Sequence, residues 1–219
     1  MKEPGVFVSL EGIDGCGKSS LKEGLLAYLG QYQVISTREP GGTSISEKIR
    51  ALLLDINNEA MLPRTEAMLY GAARCQLVDE IIRPALVDGK IVLADRYMDS
   101  TLAYQGYGRG LDLDFLQALN ALCTGGVKPD LTLLLDISPE EGLRRRGKNI
   151  PDRLEKEGID FQQKVRVGYL HMARQEPQRI KVLDAGRNLD EVLAAAINYI
   201  EPLLMLKQNV SRETMRSSL

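Results

Sequence analysis

The sequence predicts a three-layer α/β fold in which helices flank a mainly parallel, five-stranded sheet. Short apolar runs that favour buried strands alternate with longer stretches of helical spacing. This alternation is typical of parallel strands joined by helical crossovers. The 219 residues are 44% hydrophobic and 26% charged, as in an ordinary globular chain. Because no repeat or linker interrupts the pattern, we expect one domain over residues 1–206 and a polar C-terminal tail over residues 207–219.

The predicted elements follow one another in a regular order. The strands are expected at residues 6–10, 33–37, 91–94, 131–137 and 180–183. The helices are expected at residues 19–29, 44–54, 65–87, 113–122, 139–146, 160–174 and 189–206. The strand segments are brief, apolar and bounded by turn residues or charges, which indicates burial on both faces of the sheet.

Composition and charge exclude several classes of function. The 28 Lys and Arg residues against 30 Asp and Glu give a net charge of -2, whereas a general nucleic-acid binder has a strong basic excess. His171 is the single histidine, and Cys16, Cys75 and Cys123 form no C-x-x-C pair, so no histidine metal cluster or disulfide framework is expected. No apolar run approaches the roughly 20 residues of a membrane span. We expect a cytoplasmic protein that binds neither nucleic acid nor membrane, with His171 in a structural role.

A phosphate-binding motif, G-x-x-x-x-G-K-[ST], occupies residues 12–19 between the first predicted strand and the first predicted helix. Its glycines let backbone N–H groups turn toward a polyphosphate, Lys18 reaches the β and γ oxygens, and the Ser19 hydroxyl can bind Mg²⁺. The sequence therefore predicts a P-loop NTPase fold that binds a nucleoside triphosphate with Mg²⁺. The expected nucleotide-binding residues are Gly12, Ile13, Asp14, Gly15, Cys16, Gly17, Lys18, Ser19 and Ser20.

The motif alone leaves several functions open, because GTPases, motor ATPases and small-molecule kinases share it. A regulatory GTPase reads guanine with an N/T-K-x-D motif, and the nearest stretch, residues 128–130, does not match it. Two alternative functions remain open for this P-loop protein. One is a P-loop kinase for another nucleoside monophosphate, and the other is a nucleotide-binding switch without an acceptor.

Two arginines follow predicted strands at the sheet edge that carries the P-loop. Arg38 directly follows the second predicted strand within T-R-E-P-G-G-T, and Arg96 follows the third within D-R-Y. Since ligands of open α/β sheets bind at this edge, the arginines and the P-loop imply two phosphate groups that face each other. Phosphoryl transfer between two phosphorylated substrates requires this arrangement. The alternative for either arginine alone is a surface ion pair.

Tyr70 and Arg74 lie four residues apart on a predicted helix and therefore share one face. An aromatic ring beside a guanidinium can stack on a base while the guanidinium donates to an exocyclic carbonyl. The alternative is a partly buried tyrosine next to an exposed arginine.

Together these motifs resemble the thymidylate kinase (dTMP kinase) family. T-R-E-P-G-G-T at residues 37–43 and D-R-Y-x-x-S at residues 95–100 are more specific than the P-loop, and the similarity covers roughly residues 5–205. The resemblance implies transfer of the γ-phosphoryl group of ATP to dTMP, with Mg²⁺, in dTTP synthesis. It also implies a homodimer.

On the phosphate side, the resemblance implies that Arg38 and Arg96 hold the 5′-phosphate of dTMP. Asp14, Glu39 and Asp95 would be the acidic groups nearest the metal and the phosphates. The metal-binding residues would be Ser19 and Asp95.

On the base side, the resemblance implies that Arg74 donates to a thymine carbonyl and that Tyr70 stacks on the ring, where the family normally has phenylalanine. Gln105 and Ser100 would meet the other polar edge of the base. Tyr104 would pack under the deoxyribose, where an added 2′-hydroxyl would clash.

A cluster of cations predicts a short mobile lid over about residues 142–157. Arg144, Arg145, Arg146, Lys148 and Arg153 lie in this stretch, although cations at a solvated helix end would give the same pattern. Some family members carry an arginine where this chain has Gly15, and those that lack it draw the catalytic cation from the lid. Arg153 matches the lid position, with Arg145 or Arg146 as the next candidates.

No general base is expected, because a monophosphate with a second pKa near 6 is largely dianionic at pH 7. The expected catalytic residues are Lys18, Arg153, Asp95, Arg96 and Asp14.

Overall fold

The computed structural model describes residues 5–147 and 152–216, and within them a wholly parallel sheet has the strand order β2-β3-β1-β4-β5. The strands are β1 Val6–Glu11, β2 Val34–Arg38, β3 Ile91–Asp95, β4 Leu131–Asp136 and β5 Ile180–Asp184. Each expected strand is found, with ends that differ by one residue at most. The predicted α/β class and five-stranded parallel sheet are confirmed.

Helices connect the strands as parallel pairing requires. They are α1 Lys18–Tyr28, α2 Ser44–Leu54, α3 Pro63–Leu77, α4 Arg83–Val87, α5 Met98–Thr101, α6 Leu113–Thr124, α7 Pro139–Arg146, α8 Gly158–Gln175 and α9 Leu189–Arg216. Two π-helical turns, Val78–Ile82 and Leu102–Gly108, and a 3₁₀ turn, Glu155–Glu157, complete the described elements.

Three helical segments differ from expectation. The single helix expected over residues 65–87 contains a π-helical turn just before Pro84, whose missing N–H interrupts the α-helical hydrogen bonds. The helical stretch from Met98 to Gly108 was not expected, because its glycines lower helix propensity, and burial of Tyr104 stabilises it instead. Helix α9 continues to Arg216, so most of the expected tail is helical.

The alternating side chains of β1 build two apolar layers, one on each face of the sheet. Val6, Val8 and Leu10 pack in a cluster with residues of α1, α8 and α9. Phe7 packs on the opposite face with Leu77 of α3 and its neighbours. These layers produce the three-layer architecture that the strand–helix alternation predicts.

Strand register brings the functional segments to one edge of the sheet. Asp95 pairs with Arg38 of β2 on one side and with Leu10 of β1 on the other. The P-loop leaves β1 immediately beyond this pair, so Arg38, Arg96 and the P-loop start from neighbouring strand ends. Among the described helices, none is long and apolar enough to cross a membrane.

Candidate active site

A cavity of about 600 Å³ opens at the carboxyl edge of the sheet. Its walls come from the P-loop, the ends of β2 and β3, helices α3 and α7, and residues 152–155. Most of the residues singled out from the sequence line this cavity. They are Asp14, Gly15, Cys16, Gly17, Lys18, Ser19, Ser20, Arg38, Glu39, Tyr70, Arg74, Asp95, Arg96, Ser100, Tyr104 and Gln105.

The P-loop has the geometry of an anion cradle. Gly17 is the N-cap of α1 with φ +99°, a conformation that favours glycine, and no side chain caps the first N–H groups of the helix. These N–H groups and the helix dipole favour a bound phosphate. The Nζ of Lys18 donates to the carbonyl oxygens of Gly12 at 3.0 Å and Ile13 at 3.1 Å, at the mouth of the cradle.

The backbone of α7 packs directly on the P-loop. A Cβ atom on Gly142 would lie 2.5 Å from the carbonyl oxygen of Asp14, and one on Gly15 would collide with the carbonyl of Gly142. Gly15 also has φ +77°, which disfavours any side chain. In this structure the backbone of α7 therefore leaves no room for a side chain at Gly15.

Arg96 follows β3 and lies against the P-loop. Its φ of +70° is unusual for a residue with a side chain and turns the chain sharply at the end of β3. The guanidinium donates to Asp14 Oδ1 at 2.6 Å, to the Tyr104 hydroxyl at 2.9 Å and to the Gly12 carbonyl at 3.0 Å. Burial opposes ionisation of Asp14, yet the charges of Arg96 and Lys18 hold its pKa below the usual value. The fixed guanidinium can meet an anion in the cavity.

The buried carboxylate of Glu11 holds the residues around Arg96 in place. It accepts hydrogen bonds from the Tyr97 N–H at 2.7 Å, the Ser100 hydroxyl at 2.6 Å and the Tyr169 hydroxyl at 2.7 Å. Burial and the nearby Asp99 raise the pKa of Glu11 to about 7. Ser100 therefore has a buried partner, besides any contact with the base.

The carboxyl end of β2 carries a second cationic group. Arg38 forms a two-oxygen ion pair with Glu47, 3.0 Å to each oxygen, and half of its side chain remains exposed. Arg50 of α2 donates to the Pro40 carbonyl at 2.9 Å and also lines the cavity. Burial and the neighbouring Arg38 charge lower the pKa of Arg50. Two cations close together create a positive region in the cavity wall.

Arg74 has a different environment from the one expected. It is almost fully buried, so the alternative of an exposed arginine is wrong. Its donors serve both oxygens of Glu39 and three further acceptors, namely Thr101 Oγ1, Asn120 Oδ1 and the Tyr97 carbonyl. A guanidinium has five N–H donors, and all five are engaged here. Donation to a thymine carbonyl would require one of these bonds to be shared or broken.

The other residues that the resemblance assigns to the base line the same cavity. Tyr70 lies on the wall formed by α3, and burial raises the pKa of its hydroxyl. The ring of Tyr104 stands edge-on to Tyr169, with centroids 6.3 Å apart, and its hydroxyl lies 3.3 Å from Asp14 Oδ1. Gln105 is buried, and its Nε2 donates to Glu66 at 2.8 Å.

The cations of the expected lid have separate environments. Arg145 of α7 lines the cavity, donates to the Ala185 carbonyl at 2.8 Å and pairs with Glu141 at 2.8 Å. Arg153 does not line the cavity: it is buried against Glu66 at 2.6 Å and donates to the Leu53 carbonyl at 2.8 Å. In this conformation the structure does not bring Arg153 to the P-loop.

Arg144 and Arg146, which also belong to the expected lid, do not line the cavity. Arg144 pairs with Glu141 and leaves 77% of its side chain exposed, and Arg146 lies 3.5 Å from Glu155. Lys148 lies outside the described residues, as does the rest of the lid between residues 148 and 151.

Ser19 and Asp95 both line the cavity, on α1 and at the end of β3. Asp95 lies 4.0 Å from Lys22 Nζ. In the part of the chain that the structure describes, no group of three or more acidic, histidine or cysteine side chains forms a ready metal site. His171 is exposed, with its ring centroid 5.8 Å from that of Tyr107, and its structural role stays a prediction.

Several residues of the site were not found from the sequence. Glu11 precedes the motif by one residue, and its sequence context indicates only the end of a strand. Arg50 lies among other charges on an amphipathic helix, which is typical of a solvated surface. Gln162 donates to Asp14 Oδ2 at 2.8 Å, and Tyr169 reaches Glu11, both from α8. No local signal links α8 to the P-loop, because about 150 residues separate them.

The fold and the site define a P-loop phosphotransferase: a P-loop follows the first strand of a parallel sheet, and a second cationic wall faces it across one cavity. A family model for thymidylate kinase matches residues 10–196. A thymidylate kinase from Symbiobacterium thermophilum is 47% identical over 201 residues, covering 91% of this chain and 94% of that protein. One from Syntrophotalea carbinolica is 54% identical over 196 residues, covering 85% and 90%.

A crystal structure of thymidylate kinase from Ehrlichia chaffeensis superposes with a TM-score of 0.74 at 32% identity, covering 90% of this chain and 98% of that one. The chain belongs to the thymidylate kinase family. The resemblance carried by the T-R-E-P-G-G-T and D-R-Y-x-x-S motifs is confirmed, whereas the roles of individual residues stay predictions.

Proposed function

We propose that the chain transfers the γ-phosphoryl group of ATP to the 5′-phosphate of dTMP, giving ADP and dTDP for dTTP synthesis. One observation supports this most: a P-loop and a second cationic wall share a single cavity. Arg96 stands between the two, and Arg38 and Arg50 line the acceptor side. Two polyanions that meet here would have their mutual repulsion screened on both sides.

The proposed reaction needs alignment and charge screening rather than proton transfer. A monophosphate is largely dianionic at neutral pH, so its oxygen is already a nucleophile. Lys18 and the first N–H groups of α1 would hold the donor phosphates, while Arg38 and Arg96 would hold the acceptor phosphate. Asp14 keeps the guanidinium of Arg96 in place through a 2.6 Å ion pair. Because no proton has to be transferred, the proposed reaction does not require a histidine in the cavity.

We propose that Ser19 and Asp95 hold Mg²⁺ when the nucleotide is bound. Both line the cavity next to the P-loop, and their oxygens are the ligands that Mg²⁺ prefers. The ion would neutralise charge on the donor phosphates.

The base side is proposed to take thymine. Tyr70 would stack on the ring, Gln105 and Ser100 would meet its polar edge, and Tyr104 would lie under the sugar. Arg74 would act mainly by holding Glu39 and the surrounding wall, because its donors are engaged. This is a narrower role than the base contact implied by the resemblance.

A homodimer is proposed through the α2–α3 face. Ile45 and Leu52 lie two turns apart on α2 with 51% and 46% exposure, and Met68 of α3 is 55% exposed. Apolar side chains that line up on one helix face favour burial against a partner. Leu52→Asp should therefore give a monomer in sedimentation, whereas Val167→Asp on α8 should not.

We also propose a cytoplasmic location, because the free thiols Cys16, Cys75 and Cys123 fit a reducing compartment.

A panel of acceptors tests the proposed function. Phosphoryl transfer from ATP with Mg²⁺ is measured against dTMP, dUMP, UMP, dCMP, AMP and shikimate. Turnover confined to dTMP and dUMP is expected. Preference for another nucleoside monophosphate would replace dTMP as the acceptor, and hydrolysis of ATP without any acceptor would favour a nucleotide-binding switch.

A further inference from the structure

Glu66 is a fully buried carboxylate in the first turn of α3, and the proposed transfer itself does not use it. Its Oε1 accepts from Gln105 Nε2 at 2.8 Å, and its Oε2 from Arg153 Nη1 at 2.6 Å. Arg109 donates to both oxygens, at 3.3 Å and 3.1 Å. Two guanidiniums thus offset the charge of a carboxylate that has no contact with solvent.

This environment fixes the orientation of the Gln105 amide. A carboxylate only accepts hydrogen bonds, so the NH₂ end of Gln105 must face Glu66. The carbonyl oxygen is then the end left for the cavity, which Gln105 lines. Within residues 5–147 and 152–216 the one hydrogen bond found for the Gln105 side chain is the bond from its Nε2 to Glu66, and none reaches its oxygen. Without Glu66 the two ends of the amide would be nearly interchangeable in shape.

A carbonyl oxygen at this position selects a ligand that donates. The ring nitrogen at position 3 of thymine carries a hydrogen, whereas the same nitrogen of a 4-aminopyrimidine carries a lone pair. Two facing acceptors repel each other, and a buried group that loses its partner is costly. Arg74 cannot make the selection in this conformation, because its donors are engaged elsewhere.

We propose that Glu66 is a positioning residue that sets base specificity: it holds the Gln105 amide with its oxygen toward the cavity, so that the site takes a pyrimidine with a ring N–H and rejects a 4-aminopyrimidine. The proposal rests on the proposed acceptor, dTMP. Arg153 and Arg109 keep the carboxylate in place, and Arg153 is itself anchored on the Leu53 carbonyl at 2.8 Å.

The test compares dTMP with 5-methyl-dCMP, which differ only at ring positions 3 and 4. The ratio of their kcat/KM values, and of their Kd values from calorimetry, is measured for the wild type and Glu66→Gln. An amide at position 66 can either donate or accept, so Gln105 is free to turn over. The wild type should prefer dTMP, and Glu66→Gln should reduce this preference at least about tenfold.

Glu157→Gln is the matched control, because Glu157 pairs with Arg109 but does not touch Gln105. Its ratio should stay within about twofold of the wild type. An unchanged ratio in folded Glu66→Gln, or an equal loss in Glu157→Gln, would overturn the proposal. If Glu66→Gln does not fold, Gln105→Ala replaces it and should lose the same preference, whereas an intact preference there would again overturn the proposal.

The two readouts separate this inference from the proposed function. A wild type that binds dTMP better than 5-methyl-dCMP but phosphorylates neither counts against the transfer reaction, while the Kd ratios still test Glu66. A wild type without any preference in binding overturns the role of Glu66 directly.

Discussion

Arg96 combines backbone strain with a central position among the charges of the site. Its φ of +70° costs on the order of 1–3 kcal/mol for a residue with a Cβ atom, and glycine avoids this cost. Such strain persists only where the surrounding contacts hold the residue, as Asp14, Tyr104 and Gly12 do here.

Two substitutions at this position separate strain from charge. Arg96→Ala and Arg96→Gly should both lower kcat/KM for dTMP by about 100-fold or more, because each removes the guanidinium. Arg96→Gly should nevertheless have a free energy of unfolding about 1 kcal/mol larger than that of Arg96→Ala, and a correspondingly higher Tm, since only glycine relaxes the backbone. Thermal unfolding and steady-state kinetics check both statements. Equal stability of the two variants would contradict the strain.

Glu11 should make stability depend on pH near neutrality. Burial, and then the charge of Asp99, raises its pKa from 4.5 to about 7 in the folded chain. Below pH 4.5 the side chain is protonated in both states, and between pH 4.5 and 7 only the folded state keeps the proton. The stabilisation that protonation gives is therefore lost as the pH rises through this window.

Glu11→Gln removes this titration. We expect the free energy of unfolding of the wild type to fall relative to that of Glu11→Gln by on the order of 3 kcal/mol from pH 4.5 to 7. Denaturant unfolding at several pH values measures the difference, and other titrating groups cancel because both proteins contain them. Parallel pH profiles would show that Glu11 keeps an ordinary pKa.

At the scale of elements, α7 and the P-loop behave as one packed unit. The backbone contact between Gly142 and Asp14 leaves no space for a Cβ atom. Gly142→Ala should displace α7 and raise the KM for ATP by about tenfold, because overpacking of rigid backbone costs about 1–3 kcal/mol. Leu143→Ala, at the next and largely exposed position of α7, should leave the KM unchanged. Steady-state kinetics with varied ATP measure the KM of the two variants. An unchanged KM for ATP in Gly142→Ala would show that the contact between Gly142 and Asp14 does not constrain the P-loop.

The same packing places Arg145 at the cavity, and we expect this arginine to act on the transferred group. Arg145→Ala should lower kcat by about 100-fold, or ~3 kcal/mol, with little change in the KM for dTMP. Arg144→Ala is the control, because Arg144 shares the Glu141 partner but points to solvent. A larger loss of kcat in Arg153→Ala would return the role to Arg153, the residue that the resemblance implies.

The sheet and the P-loop could be predicted from the sequence because their signals are local. Buried parallel strands are short apolar runs, and the motif at residues 12–19 needs only its flanking strand and helix. The partners of the acceptor-side residues could not be predicted, since they depend on contacts between distant segments. Arg74 shows this best: its sequence context indicates a base contact, while Glu39 and Asn120, from other elements, engage its donors.

At the scale of the whole molecule, the small net charge hides a polarised arrangement. Lys18, Arg38, Arg50, Arg96 and Arg145 line one cavity at one edge of the sheet, although acidic residues slightly outnumber basic ones overall. Local clusters, not the field of the whole chain, therefore meet the anionic ligands. This distribution follows from topology, because parallel strands bring all their carboxyl ends to one side.

The central claim is that this cavity joins two phosphorylated substrates and transfers a phosphoryl group between them. Its most direct test follows ATP, ADP, dTDP and free phosphate together by phosphorus NMR after mixing the enzyme with ATP, Mg²⁺ and dTMP. The account predicts one dTDP formed for each ATP consumed, with negligible free phosphate and no consumption of ATP when dTMP is left out. Release of free phosphate at the same rate with and without dTMP, and no dTDP, would contradict it.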